Sequence, residues 1–294
     1  MASGSALLAA GIWGWVADPL EFEFMQRALL AVALVGIVSA VVGAFVVVRG
    51  MAFIGDALAH ASFAGVAGAF ALGVSIYLGA IVAAVATALG IAFISQRARL
   101  RFDTAIGVLF VGAFALGIVI VSRQDNYTVD LFSFVFGNVL GVSWADLWLM
   151  AGLGAVVVAL VAIFYKELLF VAYDPTVATA AGLPTRALEY GLLALVAVST
   201  VVALQTVGIV LVIAMLVTPA ATASLLVQRL HHVIFVAVGV ALASAVVGLY
   251  VSYYAEVASG ASIVLVATAC FALALALAPR RGLLARWRTE RALP

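Results

Sequence analysis

Apolar residues fill this chain in long blocks, and polar residues fall almost entirely between the blocks. Uniformly apolar runs occupy approximately 25–48, 51–72, 75–95, 104–121, 144–165, 187–204, 206–227, 233–254 and 260–278. A helix needs about 20 apolar residues to cross a hydrocarbon core of about 30 Å, and each run approaches that size. The runs at 187–204 and 206–227 are separated by almost nothing, around Gln205 and Thr206, so one of them also reads as a half-helix. The pattern predicts an all-α polytopic membrane protein with 8–9 transmembrane helices.

Two connections are longer than a turn requires. Segment 122–143 opens polar (SRQDNYTVD) and continues as LFSFVFGNVLGVS, an apolar stretch too short to span. It is expected to form a short re-entrant or interfacial helix over the outer mouth, allowed only where its backbone is buried in protein. Asn126-Tyr127-Thr128 inside it matches a glycosylation sequon, a pattern that is common by chance. The second connection, 166–187, carries its own start and stop signals. Asp174 suits a helix N-cap, Pro175 the first helical position, and Gly182 a left-handed closure. A short helix over roughly 175–181 follows. It either tidies a loop or offers a docking knob to a cytoplasmic partner.

Composition narrows the class. Of 294 residues, 67% are hydrophobic and 9% charged, against roughly 25% charged in an ordinary soluble domain. With a mean hydropathy of +1.32, a soluble enzyme, a nucleic-acid binder and a disordered chain are excluded. A single cysteine, Cys270, rules out an intrachain disulfide. Ala6 to Ala17 is apolar, but no basic residue precedes Arg27, so the positive region of a signal peptide is missing. The expected organisation is an outward-facing or interfacial leader at 1–23, a transmembrane domain at 24–278 and a basic cytoplasmic tail at 279–294.

Charge placement sets the orientation, since Lys and Arg concentrate in cytoplasmic loops. With the N-terminus outside and nine crossings, Arg49, Arg97, Arg99, Arg101, Lys166, Arg186, Arg229 and the five arginines of the tail lie inside. Only Arg27 and Arg123 lie outside, where Asp18, Glu21, Glu23, Asp125, Asp130 and Glu256 collect. The bias puts the C-terminus inside.

Most charges therefore sit at membrane edges. The exception is Asp56 with His60, four residues apart and so on one helix face, a turn from each other. Counted from residue 50 at about 1.5 Å per residue, His60 is expected about 15 Å deep and Asp56 roughly 9 Å. Ionisable groups at such depth are costly and usually mark a pathway. A carboxylate with an imidazole suits Mn²⁺, Fe²⁺ or Zn²⁺ and lacks the thiolates that favour Cu(I). The competing reading is a hydrogen-bonded pair that only neutralises itself within the bundle.

Other candidates read as structural. Asp103, with Thr104, is expected to cap a helix, and Glu189 to pair with Arg186 three residues earlier. Pro219 should kink its helix. His231 and His232 follow Arg229 on a solvated rim, and Gly137 and Gly141 form a weak close-packing motif. The only lysine, Lys166, follows Tyr165, so no G-x-x-x-x-G-K-[ST] phosphate loop exists, and any coupling to ATP would have to come from another subunit.

Several long motifs in order resemble the permease subunits of bacterial ABC importers for Mn²⁺, Zn²⁺ and Fe²⁺. They are FMQRALL (24–30), VVRGMAFIGDALAHASFAG (47–65), DTAIGVLF (103–110), DLFSFVFGN (130–138), AYDPTVATAAGL (172–183) and VGIVLVIAMLVTPAATA (207–223). The resemblance implies a cytoplasmic ABC ATPase dimer, a second permease subunit (identical or different), an extracytoplasmic metal-binding protein and residence in the bacterial cytoplasmic membrane. It implies that Asp56 and His60 line the path and contact the metal. It also implies a cytoplasmic coupling helix over Asp174, Pro175, Ala178, Ala181, Gly182 and Leu183. No permanent cofactor is implied, only the transported ion. FGN at 136–138 leans toward manganese. The chain departs at Ala64, where relatives often carry proline, and a straighter second helix is expected there.

Two other classes compete with an ATP-driven importer. A proton-coupled secondary metal transporter would use Asp56 and His60 as a relay and leaves the capped inner helix without a purpose. An intramembrane metalloprotease lacks the H-E-x-x-H it would need.

Overall fold

The computed structural model describes residues 17–98, 100–123 and 139–278. After a 3-10 turn at Asp18–Glu21 come eleven α-helices among the described residues: α1 (Glu23–Val48), α2 (Ile54–Leu72), α3 (Ile76–Ala98), α4 (Phe102–Val121), α5 (Trp144–Ile163), α6 (Tyr165–Tyr173), α7 (Pro175–Ala180), α8 (Thr185–Val207), α9 (Ile209–Leu226), α10 (Leu230–Ala255) and α11 (Ser259–Leu277). Nine of them, all but α6 and α7, are long and apolar enough to cross a membrane. The all-α polytopic architecture expected from the apolar runs is what the chain adopts.

The closely spaced pair resolves into two complete helices. α8 and α9 are separated by one residue, Gly208, at φ 82° and ψ 165°. Only glycine reaches such dihedrals without strain, so this single position redirects the chain between two spans.

The core sits on α1 and α2, whose most apolar stretches are 67% buried, while the corresponding stretch of α4 is only 17% buried. α2 is packed between α3 and α4 and also touches α8 and α9; α1 is flanked by α5, α9 and α10. Small residues make these crossings close. A Cβ on Gly65 of α2 would lie 2.0 Å from the Gly79 carbonyl oxygen of α3, and one on Gly43 of α1 would lie 1.9 Å from the Leu216 oxygen of α9. On α4, a Cβ at Gly117 would come within 3.0 Å of Ala64 Cα. The outer flank of α4 exposes Val108, Val111, Leu116, Ile118 and Val119, an apolar surface suited to lipid or to another apolar helix.

Polar contacts fasten the ends of the helices. Trp144 Nε1 at the start of α5 donates to Glu23 Oε1 at the start of α1 (2.9 Å). Ser143 and Asp146 form a capping box that opens α5. The expected cap at Asp103 is not made: α4 begins at Phe102, its N-cap is Arg101, and Asp103 sits inside the first turn beside the helix dipole's positive end. α9 continues unbroken across the buried Pro219, and α2 across Ala64 and Gly65.

Some expectations fall outside the described residues: most of the leader, the basic tail, the sequon, FGN at 136–138, Gly137, and nearly all of the short outer segment.

Candidate functional site

The site begins at the turn from α1 to α2. Gly50, at φ 69°, lets the chain reverse between Arg49 and Ile54, and Met51 and Ile54 are fully buried as anchors. α2 thus starts at residue 54, four residues later than the sequence estimate assumed. Asp56 lies in its first turn, and His60 about 9 Å along the helix at about 1.5 Å per residue. The pair is shallower, measured along α2, than the sequence reading placed it.

Asp56 and His60 do meet. His60 Nδ1 is 3.1 Å from Asp56 Oδ1 and 3.0 Å from the Asp56 backbone oxygen. Both neighbours are acceptors, so Nδ1 is placed to carry a hydrogen, and the neutral tautomer with that hydrogen has its lone pair on Nε2. This is the arrangement in which a carboxylate orients an imidazole for a metal ion. The side chains are 34% (Asp56) and 27% (His60) exposed, so the face they share stays open. Two aromatic rings of α4 stand edge-to-face to the imidazole, Phe110 at 5.2 Å and Phe114 at 5.5 Å between centroids. Among the described residues no three His, Cys, Asp or Glu side chains gather where they could hold a metal ion. Here the described residues present one carboxylate and one imidazole.

The capped helix α7 is built as its residues suggest. Asp174 Oδ1 accepts from the backbone N–H groups of Thr176 (3.0 Å) and Val177 (2.9 Å), with Pro175 at the first helical position. At the other end Ala181 is the C-cap and Gly182 follows at φ 83°. Gly182 N–H donates to the Thr179 carbonyl and Leu183 N–H to the Ala178 carbonyl, the paired bonds of a Schellman closure. Ala178 is fully buried against the body, while Val177 is 50% exposed. Thr179 Oγ1 lies 3.0 Å from Thr185 Oγ1, tying α7 to the first turn of α8. The result is a capped short helix packed on the body through Ala178, with Val177 facing outward.

Glu189 does not pair with Arg186. Its Oε1 accepts from Arg49 Nη2 at the end of α1, and its Oε2 from Gln96 Nε2 on α3 (2.6 Å). The Arg49 guanidinium also lies 5.5 Å from the centre of the Phe102 ring of α4. The Arg49 and Glu189 side chains are only 9% and 13% exposed. Four helices are joined here by a polar knot that sequence spacing missed, because its partners lie 140 and 93 residues apart. His231 and His232 remain on the surface at the start of α10, with ring centres 4.1 Å apart, away from any acidic cluster.

Known proteins resemble this chain along nearly all its length. The model of the ABC 3 transport family matches residues 21–278. The manganese transport system membrane protein MntC of Halalkalibacterium halodurans is 48% identical over 274 residues, covering 93% of this chain and 94% of the relative. A Haemophilus influenzae protein named "Probable iron transport system membrane protein" is 36% identical over 265 residues, covering 90% and 97% respectively. Among solved structures, PsaBC from Streptococcus pneumoniae in complex with Fab superposes with a TM-score of 0.81 at 38% identity, covering 95% of this chain and 99% of that one.

Proposed function

The chain belongs to the ABC 3 transport family, and from that premise we propose that it is the membrane permease of an ATP-driven importer that carries Mn²⁺ into a bacterial cell across the cytoplasmic membrane. The observation that carries the reading is the Asp56–His60 pair, an oriented carboxylate and imidazole on an open face of the second span. Manganese is favoured because the 48%-identical relative is named for manganese transport; an iron-named relative at 36% identity keeps Fe²⁺ as the first competitor, with Zn²⁺ suited to the same donors.

In this reading an extracytoplasmic binding protein delivers the ion to the outer mouth. His60 takes it up through Nε2 by ligand exchange as water leaves, Asp56 holds the ring from the Nδ1 side, and a second permease subunit supplies further donors. So few donors per chain make a site that releases its ion readily, as a transport site must. Cytoplasmic ATPases grip the segment through Asp174, Pro175, Ala181, Gly182 and Leu183, while the buried Ala178 anchors it to the body. ATP-driven motion received through α7, and passed on to α8, reorients the two permeases so that the ion leaves inward. No covalent chemistry is involved.

The test is the elemental content of metal-limited host cells carrying wild type or His60→Ala at matched protein levels. Loss of manganese accumulation, with zinc and iron unchanged, is expected. Loss of iron or zinc instead reassigns the ion, and unchanged accumulation of all three reduces Asp56–His60 to a structural pair.

A further inference from the structure

We propose that Phe110 and Phe114 of α4 are positioning residues for metal binding: they lock the His60 ring with Nδ1 on Asp56 and Nε2 turned toward the open face. The inference rests on the reading of Asp56 and His60 as the metal pair.

A histidine side chain that is 27% exposed has two torsions free to wander, and a half turn about the second would put Cδ2 in place of Nδ1 and Cε1 in place of Nε2. The hydrogen bonds to Asp56 hold one edge of the ring only. The remaining restraint comes from across the helix interface. The imidazole meets Phe110 at an interplanar angle of 76° and Phe114 at 83°. The two phenylalanines are one turn apart on α4 and lie within 21° of parallel to each other. A ring flip or rotamer change at His60 must therefore disturb two edge-to-face contacts at once, a geometry aromatic rings favour.

The placement of these rings is not incidental to the packing of α4. That helix is otherwise largely exposed, yet it is drawn against α2 at Gly117, where any Cβ would collide with Phe63 and Ala64. The close approach brings the turn bearing Phe114 over His60. Phenyl rings have neither a lone pair to ligate the ion nor an N–H or O–H to donate to Nε2. They restrict the ligand without competing for it, and a ligand fixed in its binding rotamer loses less freedom when the ion arrives.

The experiment measures uptake of radiolabelled Mn²⁺ in cells carrying the assembled transporter, with KM and maximal rate read separately. Phe110→Leu/Phe114→Leu is expected to raise KM about tenfold, the size of losing two edge-to-face ring pairs, with little change in maximal rate per transporter. The single leucine variants should give intermediate KM values, so the reading survives if the double variant fails to accumulate. Phe110→Tyr/Phe114→Tyr, which keeps both rings, should restore a KM near wild type. A wild-type KM in the leucine variants, or an equal rise in the tyrosine variant, overturns the clamp. His60→Ala in the same assay separates the two ideas. If it abolishes uptake while the leucine variants keep the wild-type KM, only the clamp is wrong. If His60→Ala itself transports with a wild-type KM, the metal pair is wrong and the clamp falls with it.

Discussion

The polar knot of Arg49, Glu189 and Gln96 shows how much one residue depends on groups far away in the chain. Arg49 closes α1, yet its charge is nearly buried, and Glu189 is what makes that tolerable. Removing one partner of such a pair leaves an uncompensated charge and costs on the order of 3–5 kcal/mol. Glu189→Ala should therefore strongly lower the thermal stability of the purified protein in detergent. Arg49→Met combined with Glu189→Leu should recover much of the loss, since apolar replacement of a buried ion pair is often neutral. A double variant as unstable as the single one would show that the knot fixes helix positions beyond charge balance. Sequence could propose only the neighbour Arg186, because spacing reports contacts within one helix. Asp56 and His60 were legible for the same reason: their contact is made within a single helix. The phenylalanines over His60 were not, since an aromatic pair four residues apart on an apolar helix looks like any packing surface.

At the scale of elements, the nine spans were readable because lipid forces each crossing to be a self-satisfied apolar helix. What hydropathy could not read was where one helix stops and the next begins when no polar residue lies between them; a backbone property of Gly208 decided that. Helix contacts follow the same logic. Gly43→Ala and Gly65→Ala place a methyl into carbonyl oxygens of α9 and α3, and both should sharply reduce the folded protein recovered from membranes. Gly68→Ala on α2 meets nothing within 4 Å and should be neutral or stabilising by up to about 1 kcal/mol. Equal yields for all three would mean that the helices slide apart freely. The short helix α7 was legible from its caps, and the caps are what it depends on. Six residues cannot hold a helix by propensity alone, so Asp174→Ala, at a cost of about 1 kcal/mol, should loosen it. In the assembled transporter, uptake should fall relative to ATP hydrolysis, and Asp174→Asn, which keeps a cap, should retain coupling. Unchanged uptake per ATP in Asp174→Ala would leave α7 as a tidy loop.

At the scale of the whole molecule, the side on which each helix ends can be checked by contacts that owe nothing to hydropathy. The Arg49–Glu189–Gln96 knot and Phe102 bring together the end of the first span, the end of the third, and the starts of the fourth and sixth. Trp144 and Glu23 join the starts of the first and fifth at the other end. Strict alternation requires both groupings, and neither depends on how α8 and α9 divide. Because α7 lies between the fifth and sixth spans, it shares a side with Arg49. We propose that this side is the cytoplasmic one, because twelve of the fourteen basic residues fall with Arg49 when nine helices cross. Cysteine labelling turns this into a measurement. In a Cys270→Ala background, the exposed Asp18→Cys should react with a membrane-impermeant maleimide in intact cells, and Val177→Cys only once the membrane is opened. The opposite pattern would place α7 outside the cell, out of reach of any ATPase. The Asp56–His60 pair would then need a different source of drive, and the proton-relay alternative would become the stronger account of the same two residues.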